Sequence, residues 1–135
     1  MTSLLPDRVA VAERSLARRI LIADDASSSR ELLRTILEQQ GYEVMEASDG
    51  EQAVFEAAGF APHLVILDLQ MPKLDGYAAA IALRKIPGFE RIPIIALAAA
   101  LPEVSPEQMT QAGFTQYLVK PISPNRLREC VTHLL

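Results

Sequence analysis

Asp24, Asp25, Asp68 and Lys120 are side chains of the right types to do chemistry together in this 135-residue chain. Each lies at the end of an apolar run: Ile20 to Ala23 before the acidic pair, Leu64 to Leu67 before Asp68, and Tyr117 to Val119 before Lys120. Carboxylates crowded into a small area resist joint ionisation. A divalent cation removes that conflict, and carboxylates with a backbone carbonyl and waters suit a hard, octahedral ion such as Mg²⁺. No His or Cys lies near these positions, which argues against zinc. An aspartate on a metal beside a lysine suits phosphoryl transfer. The carboxylate oxygen attacks phosphorus, while the metal and the ammonium neutralise the equatorial oxygens. Taken singly, such an Asp reads as a turn or cap residue and such a Lys as a solvated one. That plainer reading weakens when all of them fall at the ends of expected strands.

Positioning them requires a sheet. The stretch His63 to Gly76, HLVILDLQMPKLDG, is central. Leu64 to Leu67 reads as a strand buried on both faces. Pro72 cannot continue it, and Asp75-Gly76 turns the chain and caps a helix running to about Lys85. Before it come a strand at Ile20 to Ala23 and a helix capped by Ser27 or Ser28. That helix is expected to bury Leu32, Leu33, Ile36 and Leu37, and Gly41 to stop it. Tyr42 to Ala47 alternates like a half-exposed edge strand. Asp49 with Gln52 is a capping-box pattern, opening a helix that buries Ala53, Val54, Ala57 and Ala58 and closes at Gly59. After it come a strand at Ile92 to Leu97, a helix begun by Ser105-Pro106 and closed by Gly113, a strand at Tyr117 to Val119, and a helix begun by Ser123-Pro124. The last buries Leu127, Cys130, Val131 and Leu134. Five strands alternating with five helices predict an α/β, doubly wound parallel sheet with helices on both faces. In such a sheet the C-terminal strand ends form the binding edge. Residues 1–18 stand outside this alternation. Leu5, Val9, Ala12 and Leu16 fall near helical spacing, so a frayed extension and a short docking helix are both open.

Composition bounds the rest. Half the residues are hydrophobic, 22% are charged, and the net charge is -4. This describes one domain with a filled core and no general footprint for nucleic acid. A single cysteine cannot form an internal disulfide, and no apolar run is long enough to span a membrane. The N-terminus has no signal-peptide core, since Pro6, Asp7 and Arg8 interrupt it. A cytoplasmic location is expected.

The sequence resembles the receiver domain of bacterial two-component response regulators. The resemblance rests on LIADD (Asp24, Asp25), VILDLQMPKLDG (Asp68) and YLVKPI (Lys120), and runs from about Arg19 to Leu135. It implies a flavodoxin-like sheet in the order 2-1-3-4-5. It also implies that Asp68 is the phosphoacceptor, that Asp25 binds Mg²⁺ directly and Asp24 through water, and that Gln70 offers its backbone carbonyl. Lys120 would contact the phosphoryl group, and the Lys120-Pro121 bond is expected to be cis. The implied donor is a phosphohistidine on a histidine kinase or a histidine phosphotransfer protein. The output is binding of a downstream protein partner, without direct nucleic-acid contact or membrane insertion. Receivers often pair through the fourth and fifth elements, so a homodimer is within this reading.

One departure stands out. Receivers usually carry Ser or Thr just past the fourth strand, whose hydroxyl moves with an aromatic residue on the fifth. Here the position is Ala98, with Ala99 and Ala100 behind it, while Tyr117 matches the aromatic residue. Ala98 is therefore expected to leave space that Tyr117 can fill in either state. His63 reads as a loop residue, His133 as a helix-end residue and Cys130 as core. Competing readings are a pseudo-receiver that never turns over phosphate, favoured by Ala98, and a receiver segment of a hybrid histidine kinase. Met1 and the full final helix favour a free regulator. An aspartyl phosphohydrolase like the haloacid dehalogenases is disfavoured, because Gln70 stands where that group places a second Asp.

Overall fold

The computed structural model describes residues 17–135. The proposed N-terminal helix, with Leu5, Val9, Ala12 and Leu16, lies outside the described residues. The strands are β1 (Arg19–Ala23), β2 (Glu43–Ala47), β3 (Leu64–Asp68), β4 (Ile94–Ala98) and β5 (Gln116–Val119). The helices are α1 (Ser27–Gln39), α2 (Gly50–Phe60), α3 (Gly76–Arg84), α4 (Pro106–Ala112) and α5 (Pro124–Leu134), with a 3-10 turn at Leu101–Glu103. All strand pairs are parallel, in the order β2-β1-β3-β4-β5. This is the doubly wound, flavodoxin-like α/β fold expected from the sequence.

Strand alternation builds two cores. Ile20 and Ile22 of β1 face α1 and α5, where Leu33, Ile36, Leu37, Leu127 and Val131 are buried. Leu21 and Ala23 face the other side, against Ala53 and Ala57 of α2 and Ala79, Ala80 and Leu83 of α3. Small residues on α2 and α3 let those helices lie close to the sheet. Gly76 is the clearest case, since a Cβ there would come within 2.4 Å of Asp68 O.

The start of α1 is not capped by Ser27 or Ser28. Ala26 is the cap residue; its methyl group cannot accept a hydrogen bond, and its N–H donates to the Asp24 carboxylate. Leu32 is 53% exposed rather than buried, because the helix turns it away from the stripe of Leu33, Ile36 and Leu37. Gly59 does not close α2. The helix runs on to Phe60, and Ala61 adopts the left-handed conformation at φ 52, its N–H donating to Ala57 O. Arg19 Nε donates to Phe60 O and Ala61 O there. Ala58 is exposed and Val54 half-buried, so only Ala53 and Ala57 of the four expected residues are core. α3 stops at Arg84, with Lys85 as its C-cap. The 3-10 turn after β4 was not expected. At the far end of the sheet, the Arg84 guanidinium donates to Gly113 O, Phe89 O and Ile92 O. Burial lowers its pKa, yet those carbonyls satisfy it without a carboxylate.

Candidate functional site

The register aligns the site. Asp68 pairs with Leu97 across β3 and β4, and Ala98 pairs with Val119 across β4 and β5. Asp24, Asp68 and Lys120 therefore meet at the C-terminal edge. Lys120 Nζ lies 2.9 Å from Asp24 Oδ2 and 2.8 Å from Asp68 Oδ2, bridging the two carboxylates. Asp24 Oδ1 accepts from the Ala26 N–H at 3.0 Å, and Asp68 Oδ1 from the Gln70 N–H at 3.0 Å. Asp24 is fully buried and Asp68 nearly so, whereas Asp25 is exposed. Oxygens of Asp24, Asp25 and Asp68 lie within 4.8 Å of one another. Asp68, Gln70, Ala99 and Lys120 are among the residues lining one open cleft, which Asp25 also borders.

Charge is unevenly held. Burial pushes the Asp68 carboxyl above its ordinary pKa, against the opposing pull of Lys120. Burial acts on Asp24 too, but the Ser29 hydroxyl, the Ala26 N–H and Lys120 together bring it below the ordinary value. Burial also opposes the charge on Lys120, but the two carboxylates hold its pKa above the ordinary value. One ammonium thus stands against three carboxylates, a surplus of negative charge built from oxygen donors alone. That donor set fits a hard divalent cation. The cis Lys120-Pro121 bond is present.

The switch positions lie apart from the cleft lining. Ala98 is fully buried and packs with Leu69, Ala96 and Met109, and Tyr117 lies half-buried against the same cluster. Tyr117 is therefore not fully outward. The cleft is reached one residue later, at Ala99, because alternate residues of a strand face opposite ways. Three residues here escaped the sequence reading. Arg30 Nη1 donates to Asp24 O at 2.6 Å and its Nε pairs with Glu46. Tyr77 O–H donates to Glu103 O at 2.9 Å and accepts from the Ser105 N–H. Both Glu103 carboxylate oxygens accept from the Ala99 N–H. A lone glutamate in an otherwise apolar loop, just ahead of the Ser105 cap, was the available signal for the last.

Comparison with known proteins agrees with this fold. The family model described as the response regulator receiver domain matches residues 20–132. A probable transcriptional regulator, ycf27 of Porphyridium aerugineum, is 43% identical over 119 residues, covering 87% of this chain and 48% of that protein. The chain spans about half the length of such curated relatives. The chemotaxis protein CheY4 of Vibrio cholerae superposes with a TM-score of 0.82 at 30% identity, covering 88% of this chain and 99% of that one. The receiver domain of a Pseudomonas aeruginosa sensor histidine kinase superposes at 0.80 and 31% identity, covering 87% and 97%; that structure has a magnesium ion coordinated in its active-site cleft.

Proposed function

The chain belongs to the response regulator receiver domain family of two-component signalling, and on that premise we propose that Asp68 is its phosphoacceptor. The donor is a phosphohistidine of a histidine kinase or histidine phosphotransfer protein. An Asp68 carboxylate oxygen attacks phosphorus, the P–N bond breaks, and the imidazole leaves with the electron pair. The Lys120 ammonium, shared between Asp24 and Asp68, then has a phosphoryl oxygen to meet. Asp24, Asp25, Asp68 and the Gln70 carbonyl would hold Mg²⁺, which would supply positive charge to offset that of the transferring group.

The observation that carries this reading is one ammonium bridging two carboxylates, with a third within 4.8 Å, in an open cleft. Magnesium in the cleft of the Pseudomonas neighbour supports the choice of ion. The modified chain signals by binding a downstream protein, with a homodimer as one form of that contact. Its own chemistry is limited to self-catalysed phosphotransfer and dephosphorylation. A net charge of -4 fits a chain that does not itself grip nucleic acid.

Incubation with acetyl phosphate and Mg²⁺ tests the proposal. Intact mass spectrometry is expected to show one added phosphoryl group on the wild type and none on Asp68→Asn. Equal behaviour of the two removes Asp68 from the role. A second reading, a pseudo-receiver without phosphate turnover, is favoured by Ala98; absence of any adduct on the wild type would select it.

A further inference from the structure

The Ala99 backbone N–H faces the acceptor strand, and an acidic side chain holds it. Leu69 N–H donates to Leu97 O at 2.9 Å, so the Leu97 carbonyl points toward β3. Lys120 N–H donates to Ala98 O at 2.8 Å, so the Ala98 carbonyl points toward β5. Alternation along the strand returns the Ala99 N–H to the β3 side, at the edge where Asp68 enters the cleft. Its partner in a continuing ladder would be Leu69 O, which instead accepts from the Gly76 N–H at 3.0 Å. The acceptors found on the Ala99 N–H are both oxygens of Glu103, each at 3.2 Å.

Resting on the phosphoacceptor reading of Asp68, we propose that Glu103 is a built-in competitor for the anion that Asp68 would carry. Its carboxylate holds the Ala99 N–H while Asp68 is unmodified. A phosphoryl group on Asp68 brings fresh negative charge and acceptor oxygens into the same cleft. Two anions competing for one donor repel, and the covalently attached one stays. Glu103 leaves, and with it goes one tie on the 3-10 turn at Leu101–Glu103. The ties left include Glu103 N–H to Ala100 O at 3.0 Å, Val104 N–H to Leu101 O at 2.9 Å and Tyr77 O–H to Glu103 O at 2.9 Å. That turn carries Leu101, which is 62% exposed. Modification is thus converted into movement of a surface turn without the hydroxyl that Ala98 lacks.

The test uses Mg²⁺ and beryllofluoride, a phosphoryl stand-in, on the full chain with amide resonances followed by NMR. Glu103→Gln keeps an acceptor but removes the charge; Glu103→Ala removes both. Without beryllofluoride, the Ala99 amide shift is expected to differ between wild type and Glu103→Ala. With it bound, the shifts are expected to coincide. Both variants are expected to bind beryllofluoride about tenfold more tightly than wild type. An Ala99 difference that persists after binding, or equal affinities in all three proteins, overturns the proposal. The Leu69 and Gln70 amides, which directly follow Asp68, report binding separately. If they move while Ala99 behaves alike in all forms, only the role of Glu103 fails. If they do not move in any form, the phosphoacceptor reading fails and takes this one with it.

Discussion

Lys120 stands between two buried carboxylates, so its loss is felt by the fold as well as by the chemistry. Lys120→Met leaves Asp24 and Asp68 facing each other without a counter-charge. Breaking a fully buried pair costs about 3–5 kcal/mol, and the side chain of Lys120 is 26% exposed, so a loss of about 2 kcal/mol is expected in the metal-free protein. Urea denaturation in EDTA measures it, and saturating Mg²⁺ is expected to recover part of the loss. A variant as stable as wild type in EDTA would show that the bridge contributes nothing net. Asp24, Asp68 and Lys120 were legible in the sequence because each ends an apolar run, and a buried strand announces where it stops. Glu103 was not, because what it meets is a backbone N–H, and a sequence does not show which way a peptide bond faces. Ala98 was legible as a missing hydroxyl but not as a residue turned into the core, which follows from strand alternation near β5.

One helix start depends on the site more closely than its own sequence indicates. The Ser27-Ser28 pair looked like the cap of α1, yet the Asp24 carboxylate binds the Ala26 N–H and begins the helix one residue earlier. A side chain from the strand end overrode local cap preference. Asp49, Asp75, Ser105 and Ser123 do cap α2, α3, α4 and α5 as their sequences indicate, each side chain accepting a backbone N–H of the first turn. At α2 the reverse error arose: Gly59 looked like a stop, but Ala61 takes the left-handed position, and Arg19 covers the last carbonyls. The tightest joint is between α3 and β3. Gly76→Ala would press a methyl group onto Asp68 O and Leu69 Cα, both backbone atoms that cannot swing aside. The expected outcome is a loss of about 2 kcal/mol in urea denaturation and weaker Mg²⁺ binding by titration, since the displaced backbone carries Asp68. Unchanged metal affinity in a folded variant would show that α3 does not position the carboxylate.

Across the whole molecule, the alternation of strands with helices and the layering were readable because buried parallel strands leave continuous apolar runs and their helices leave stripes. Pairing order itself came from resemblance, since periodicity does not reveal neighbours. The end of the sheet opposite the cleft holds a group expected to respond to pH. His63 Nδ1 accepts from the Arg19 N–H at 2.9 Å, which requires that nitrogen to be unprotonated. Burial, then the charges of Arg19 and Arg18, hold the His63 pKa below its ordinary 6.5. The folded chain therefore binds this proton less readily than the unfolded chain. Its contribution to stability is full above pH 6.5 and is lost as pH falls from there through the folded value. His63→Asn is expected to lose less Tm than wild type between about pH 7.5 and 5, and identical slopes would remove His63 from the account. That same end holds Arg84, whose guanidinium ties the carbonyls of Gly113, Phe89 and Ile92 to α3. With the entry loops of β4 and β5 riveted to one side chain, those strands have a fixed pivot remote from the cleft. The movement proposed for the turn that carries Leu101 is then expected to leave these entry loops in place.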